Sequence, residues 1–252
     1  MNRMTNLPYA GSKTGMATVL VDQMPCARTY TEPFAGRGNV LWAVGTLAPW
    51  KFDEYHINDI ATAPLFEAIM RYGGEVRPPR HTRLDILKKE YKKYMEYKNR
   101  HHGLLTPRGA VLEPFLCSHA GTYSDSGPVT KPLRSETYRE KIRQCFEILK
   151  RTGAVVTALD WHDLHLEQLG PDSFVYLDPP YRDCSVRSYG RRKGRFDYDG
   201  MIGMLKSARF RWLLSEYGHR TYLEALGEPF LRVPKRNKLS NTDEVECLWK
   251  NY

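Results

Sequence analysis

No run of apolar residues in the sequence approaches the roughly 20 that a membrane-spanning helix needs, so no membrane association is expected. The opening residues MNRMTNLPYAGSKTG hold no apolar h-region, and no secretory signal is expected from them. Cysteine is sparse and unpatterned. Cys26, Cys117, Cys145, Cys184 and Cys247 are the five, with no C-x-x-C pair among them. That set speaks against a disulfide framework and against a zinc site, and it suits a reducing cytoplasm. His101, His102 and His119 have no second ligand pair at metal spacing, so no metal is expected and a surface or phosphate-contacting role fits them better. His162 and His165, which flank Asp163, are read as structural. Internal repeats and long low-complexity tracts are also missing.

The chain does have 252 residues, enough for one α/β domain of ordinary size with a smaller insertion. Its aromatic content of 12% is too high for a disordered chain. Lysine and arginine number 38 against 29 acidic residues, a formal charge of +9. The excess is concentrated. Arg71–Gly109 carries 11 basic against 4 acidic residues, and Arg182–Arg211 carries 9 against 3. Two basic segments on an otherwise mildly acidic chain form an electrostatic footprint for phosphates. The plainer reading of such a run is a solvated helix face or tail.

Apolar segments alternate with helical ones. Strands are expected at Arg28–Phe34, Glu54–Ile57, Ala154–Leu159, Phe174–Leu177 and Trp212–Ser215, with a closing hairpin from Phe230–Val233 and Val245–Trp249. Helices are expected at Asn39–Thr46, at Leu65–Tyr72 with Gly73-Gly74 closing it, and at Glu136–Arg151, stopped near Gly153. Leu84, Leu87, Tyr91, Tyr94 and Met95 fall at helical spacing with lysines on the other face. Ser118–Gly127 reads as an exposed loop or hairpin. The alternation predicts a mostly parallel sheet covered by helices on both faces. In such sheets ligands sit at the carboxyl ends of the strands. Asp59, Asp160 and Asp178 each lie just past a predicted strand end, so one cleft would gather them.

Two motifs carry chemistry, and a third is set aside. In Glu32-Pro-Phe-Ala-Gly36-Arg-Gly38-Asn39, glycines after a first strand allow a tight turn and close backbone approach to a ligand. Asp59 follows Gly38 by 21 residues, the distance at which a carboxylate at the next strand end meets ribose hydroxyls. Leu41 stands where G-x-G-x-x-G needs its third glycine, which disfavours a dinucleotide but not a nucleoside cofactor without a diphosphate. Ala10-Gly-Ser-Lys13-Thr-Gly does not fit the phosphate-loop pattern. In Leu177-Asp178-Pro179-Pro180-Tyr181, consecutive prolines deny helix geometry and hold carbonyls outward. An acid, a proline carbonyl and an aromatic ring then converge on one point, which fits an exocyclic aromatic amine.

Taken in order, Y-A-G-S-K at Tyr9–Lys13, E-P-F-A-G-R-G at Glu32–Gly38, N-D at Asn58-Asp59, D-W at Asp160-Trp161 and D-P-P-Y at Asp178–Tyr181 resemble the Dam-type (alpha group) DNA adenine-N6 methyltransferases. The resemblance runs from Tyr9 to about Tyr252, with E-V-E-C-L-W-K-N-Y similar to the family's closing strand. It implies an α/β fold: a Rossmann-like S-adenosylmethionine-dependent methyltransferase sheet with helices on both faces and a small, mostly helical target-recognition insertion. The catalytic domain would be residues 1–70 and 152–252, and the insertion residues 71–151. Tyr9 and Lys13 would belong to the N-terminal cofactor motif, Phe34, Gly36 and Gly38 would wrap the methionine part, Asp59 would hold the ribose, and Asp160 and Trp161 would meet the cofactor's adenine. Asp178, Pro179, Pro180 and Tyr181 would form the catalytic loop, with Asp178 also near the cofactor. The implied partner is double-stranded DNA, held by Lys88, Lys89, Lys92 and Lys93 of the first basic segment and by Arg187, Arg191, Arg192 and Lys193 of the second. The target adenine would flip out of the duplex. A cytoplasmic setting and a companion restriction endonuclease in the host system are further implications.

Two features depart from the family. Ser12 stands where many members carry glycine, and Ser188–Arg195 is unusually basic. A cytosine carbon-5 methyltransferase is set aside, because Pro25-Cys26 is followed by Ala27 and precedes the glycine turn. Transfer to an exocyclic amine of cytosine or of RNA uses similar chemistry and stays open, as does a catalytically inactive DNA-binding relative. A small-molecule methyltransferase sits poorly with the +7 segment.

Overall fold

In the computed structural model the described residues are 7, 13, 15–60, 62–75, 136–182, 196–237 and 242–252. Tyr9, Lys88, Lys89, Lys92, Lys93, Arg187, Arg191, Arg192 and Lys193 lie outside them. The described chain runs α1 (Ala17–Gln23), β1 (Thr29–Glu32), α2 (Asn39–Leu47), β2 (Glu54–Asn58), α3 (Ala63–Tyr72), α4 (Glu136–Thr152), β3 (Val155–Thr157), β4 (Ser173–Leu177), α5 (Tyr198–Ser207), β5 (Arg211–Tyr217), α6 (Arg220–Leu226), β6 (Leu231–Asn237) and β7 (Thr242–Lys250). Every expected strand and helix among these residues is present, with ends shifted by a few positions. Helices α1, α5 and α6 are additions.

The chain divides into two compact units, Met1–Asp22 with Gly36–Pro49 and Ala61–Val156, and Gln23–Ala35 with Trp50–Ile60 and Thr157–Tyr252. The second unit holds the sheet, apart from the first residues of β3. The strand order is β3-β2-β1-β4-β5-β7-β6. β1 pairs in parallel with both β2 and β4, and β4 with β5. β7 runs antiparallel to β5 and to β6, so the expected closing hairpin supplies the far edge. The chain winds outward from β1 to β2 and β3, then returns to start again at β4 on β1's other side. The point between β1 and β4 is therefore the topological switch of a doubly wound sheet, where a crevice opens at the carboxyl ends of the strands.

Composition explains each place in the sheet. All five residues of β4 are buried, as a central parallel strand requires. Val175, Leu177, Trp212, Leu214, Cys247 and Trp249 project to one face and form a core with Met201, Ile202 and Leu205 of α5 and Tyr222 of α6. Pro234 sits in β6, which the strand order puts at the edge, where a residue without an N–H is tolerated.

In the first unit, Ile142, Cys145, Ile148 and Leu149 line the buried stripe of α4. Its polar side carries the ion pairs Glu136–Arg143 and Glu140–Arg143, each at 2.9 Å. Gly45 of α2 lets α4 come close, since a Cβ there would lie 2.5 Å from Ile148 Cγ2. The expected helix end at Gly73-Gly74 differs in kind. Gly73 keeps right-handed geometry, with φ −64°, so it is no left-handed cap. A Cβ at Gly73 would stand 2.8 Å from Phe146 Cβ, and close packing against α4 is what calls for glycine.

Candidate active site

The expected site residues of the second unit stand at the carboxyl ends of β1 to β4. Phe34 follows β1, Asp59 follows β2, Asp160 and Trp161 follow β3, and Asp178 to Tyr181 follow β4. Their spacing is fixed by Asn58. Its Nδ2 donates to the carbonyls of Pro33 at 3.0 Å and Leu159 at 3.1 Å, while its Oδ1 accepts from Thr157 Oγ1 at 2.8 Å and from Leu159 N at 2.9 Å. All four hydrogen-bonding positions of the amide are used. Asp59 N also donates to the Thr157 carbonyl at 3.2 Å. The ends of β1, β2 and β3 are thus tied together beneath Phe34, Asp59 and Asp160. Asn58 was noted in the sequence only as part of the N-D pair. An asparagine ending a buried strand is the signal that marks it.

An aromatic group lies beside these carboxylates. Phe34 meets Phe196 edge to face at 5.5 Å, and Phe196 lies 6.1 Å from Trp161 and 4.8 Å from Tyr198. Trp161 also lies 4.0 Å from the His162 ring. Two expected cofactor residues, Phe34 and Trp161, are therefore joined through Phe196, which the sequence reading missed inside a basic segment. His162 Nδ1 lies 2.8 Å from Asp160 and its Nε2 lies 3.2 Å from Asp197. The bonds to Asp160 and then Asp197 raise the His162 pKa. Asp197 accepts from Gly200 N at 2.9 Å as the N-cap of α5. That backbone bond, followed by His162, lowers its own pKa.

The glycine turn belongs to the first unit. Gly36 and Gly38 take φ of +55° and +70°, a region that disfavours side chains. A Cβ on Gly38 would also fall 2.7 Å from Phe66 and 2.9 Å from Trp42. Thr62 Oγ1 donates to the Gly36 carbonyl, and Asn39 clamps Leu7 through bonds of 2.8 and 2.9 Å. Lys13 is buried in this unit at 4% exposure.

After β4 the loop is anchored from below. Asp178 and Pro180 are half-buried, and Tyr198 Oη donates to the Pro180 carbonyl at 2.9 Å. Tyr181 is buried, with 5% exposed. Its hydroxyl donates to Glu246 of β7, and its ring meets Tyr217 edge to face at 4.5 Å. Burial, then Asp178 and Glu246, push the Tyr181 pKa well above its usual value, so the hydroxyl keeps its proton. Tyr30 Oη donates to buried Glu32 at 2.8 Å and Tyr176 Oη to Ser215 at 3.0 Å. Glu32 and Glu246, both buried, were not among the expected site residues.

A carboxylate past β2, aromatic rings past β1 and β3, and an acid-proline turn past β4 match what an adenosyl cofactor needs: hydroxyl acceptors, ring faces and a polar reaction point. Among the described residues no group of three or more His, Cys, Asp or Glu gathers as a metal site. No helix of the described residues is long and apolar enough to cross a membrane.

The fold is a Rossmann-like, doubly wound α/β sheet. Residues 9–107, less than half of the chain, match the model of the D12 class N6 adenine-specific DNA methyltransferase family. No curated protein matches the chain. Two solved structures of the rRNA methyltransferase aviRa from Streptomyces viridochromogenes, at 2.4 and 1.5 Å, are similar over 98% and 97% of this chain and 88% of theirs. Their identity is 15% in both cases, with TM-scores of 0.44 and 0.42, a likeness too distant to carry their substrate across.

Proposed function

We propose that the chain moves a methyl group from S-adenosylmethionine to the exocyclic amine of an adenine flipped out of double-stranded DNA. The observation that supports this most is the placement of Asp178-Pro179-Pro180-Tyr181 at the end of fully buried β4, beside β1 at the switch point of the sheet. Bound S-adenosylmethionine supplies an electrophilic methyl group. Asp59, Asp160 and Trp161 would hold its adenosyl part, Phe34, Gly36 and Gly38 would wrap its methionine part, and Tyr9 and Lys13 would contact it as well.

The adenine amine is a weak nucleophile because its lone pair is delocalised into the ring. Hydrogen bonds from its N–H groups to the Asp178 carboxylate and the Pro179 carbonyl localise that pair as the nitrogen becomes tetrahedral. Position and electrostatics then do most of the catalysis, without a covalent enzyme intermediate. A base stacking on Tyr181 enters against a ring that is now covered, so its entry displaces whatever covers the ring. The phosphates would be held by Lys88, Lys89, Lys92, Lys93, Arg187, Arg191, Arg192 and Lys193. Within the 71–151 insertion, α4 packs on α2 and α3, which leaves target recognition to the residues before it. A cytoplasmic setting with a companion restriction endonuclease fits this reading.

The test is incubation with unmethylated genomic DNA and labelled S-adenosylmethionine, digestion to nucleosides and mass spectrometry. N6-methyladenine is the expected product. Label in RNA alone would move the substrate to RNA, and label on cytosine would move the target base. No label in either, with no cofactor bound, would leave an inactive DNA-binding relative.

A further inference from the structure

The sheet face opposite α5 and α6 is unusually polar at its carboxyl end. Register puts Ser215 of β5 opposite Leu248 of β7, and Tyr217 opposite Glu246. Glu244 and Glu246 project to the same face of β7, two residues apart. Each takes a tyrosine hydroxyl: Tyr217 donates to Glu244, and Tyr181 donates to Glu246. The two tyrosine rings meet edge to face, their planes 79° apart. Glu246 is fully buried at 0% exposure. A carboxyl group at that depth is costly unless its bonds are used. Its partner is the last residue of the D-P-P-Y loop. A phenylalanine ring would offer the same face to a base, so stacking gives the Tyr181 hydroxyl no task. Tethering to Glu246 does.

We propose that Glu246 is a positioning residue: through the Tyr181 hydroxyl it fixes the loop Asp178–Tyr181, and so sets where the Asp178 carboxylate and the Pro179 carbonyl meet the target amine. Tyr217, held by Glu244, buttresses the Tyr181 ring from the side. This rests on the proposed function for the meaning of the loop, but the tether itself is a property of the fold.

The experiment uses the full chain with Tyr181→Phe, Glu246→Leu, Glu246→Gln and the double variant Tyr181→Phe/Glu246→Leu. Methyl transfer to DNA gives kcat and KM, calorimetry gives S-adenosylmethionine affinity, and hydrogen exchange reports protection of the 176–182 amides. Losing this buried hydrogen bond should lower kcat about tenfold in Tyr181→Phe and in Glu246→Leu, with cofactor affinity unchanged. The double variant should be no slower than the slower single one. Glu246→Gln, which keeps an acceptor, should recover most of the rate, and loop protection should fall with the rate. Wild-type kcat in Tyr181→Phe, or losses that multiply in the double variant, would overturn the tether. Should Glu246→Leu fail to fold, Tyr181→Phe alone decides by the same criterion. A wild-type chain that transfers no methyl to DNA overturns the proposed function instead. In that event the tether stands or falls on whether Tyr181→Phe loosens the loop amides.

Discussion

The Asn58 side chain and the Leu159 backbone exchange two hydrogen bonds, of 3.1 and 2.9 Å, across 101 residues of chain. Asp59 and Asp160 follow them directly, so this exchange fixes the relation between two candidate cofactor carboxylates. Asn58→Ala leaves the Pro33 carbonyl and both Leu159 backbone groups without these bonds. We expect a loss of about 2–4 kcal/mol in urea unfolding and weaker S-adenosylmethionine binding. Stability within about 0.5 kcal/mol of wild type, the range of an ordinary surface change, would show that the tie is dispensable.

Gly38→Ala and Gly153→Ala separate backbone strain from packing. Both glycines have left-handed φ, +70° and +61°, which costs alanine about 1–2 kcal/mol. Gly153 has nothing within 4 Å of an added Cβ, whereas Gly38 faces Phe66 at 2.7 Å and Trp42 at 2.9 Å. Overpacking adds about 1–3 kcal/mol, so Gly38→Ala should be the more destabilising by that margin in parallel urea unfolding. Equal losses would remove the packing role of the turn.

Much of this fold could be read from the chain because its strand ends carry chemistry. Short apolar runs closed by Asn58-Asp59, Asp160-Trp161 and Asp178-Pro-Pro-Tyr show both a strand and the end facing the ligand. What escaped was encoded by tertiary contact. Helix α5 contains Gly200 and Gly203, and no helix is expected there from the sequence alone. Yet Gly200 is where the Asp197 cap closes, and a Cβ there would fall 2.1 Å from the Asp197 carboxylate. The run of charge before Phe196 hid an aromatic that joins Phe34 to Trp161. Glu246 pairs with Tyr181 over 65 residues, a relation that only the β5–β7 register brings about.

His162 should make the D-W turn sensitive to pH. As an imidazolium it donates to Asp160 and Asp197 together, and as a neutral ring it can donate to only one of them. Its folded pKa is raised above the unfolded 6.5. This contribution to stability is therefore complete below about pH 6.5 and disappears as pH climbs through the higher folded value. Asp197, whose pKa is lowered, adds stability above its unfolded value that is lost as pH falls through the folded one. The side chains are about half exposed, so the effect is small. Proton NMR should show His162 titrating above a free histidine, and His162→Gln should flatten the decline in stability above about pH 6.5. An unshifted titration would break the link.

Charge reversal at Lys88, Lys89, Lys92 and Lys93 tests whether the first basic segment meets DNA. Each phosphate contact contributes about 0.9 to the slope of log affinity against log salt on duplex DNA. Replacing all four with glutamate should therefore flatten the slope by about 3 to 4 if each lysine makes one contact. Binding should weaken alike for all sequences, because phosphate contacts carry no base readout. Asp178→Ala is the control with the opposite outcome: DNA affinity and salt slope should be kept while turnover is lost. Both quantities come from fluorescence anisotropy on one duplex across a salt series, with methyl transfer measured on the same samples. A slope unchanged by the four reversals would take this segment out of the DNA interface. A wild-type rate in Asp178→Ala would take the D-P-P-Y loop out of the chemistry, and the two results are independent because one reads phosphate contacts and the other the reacting amine.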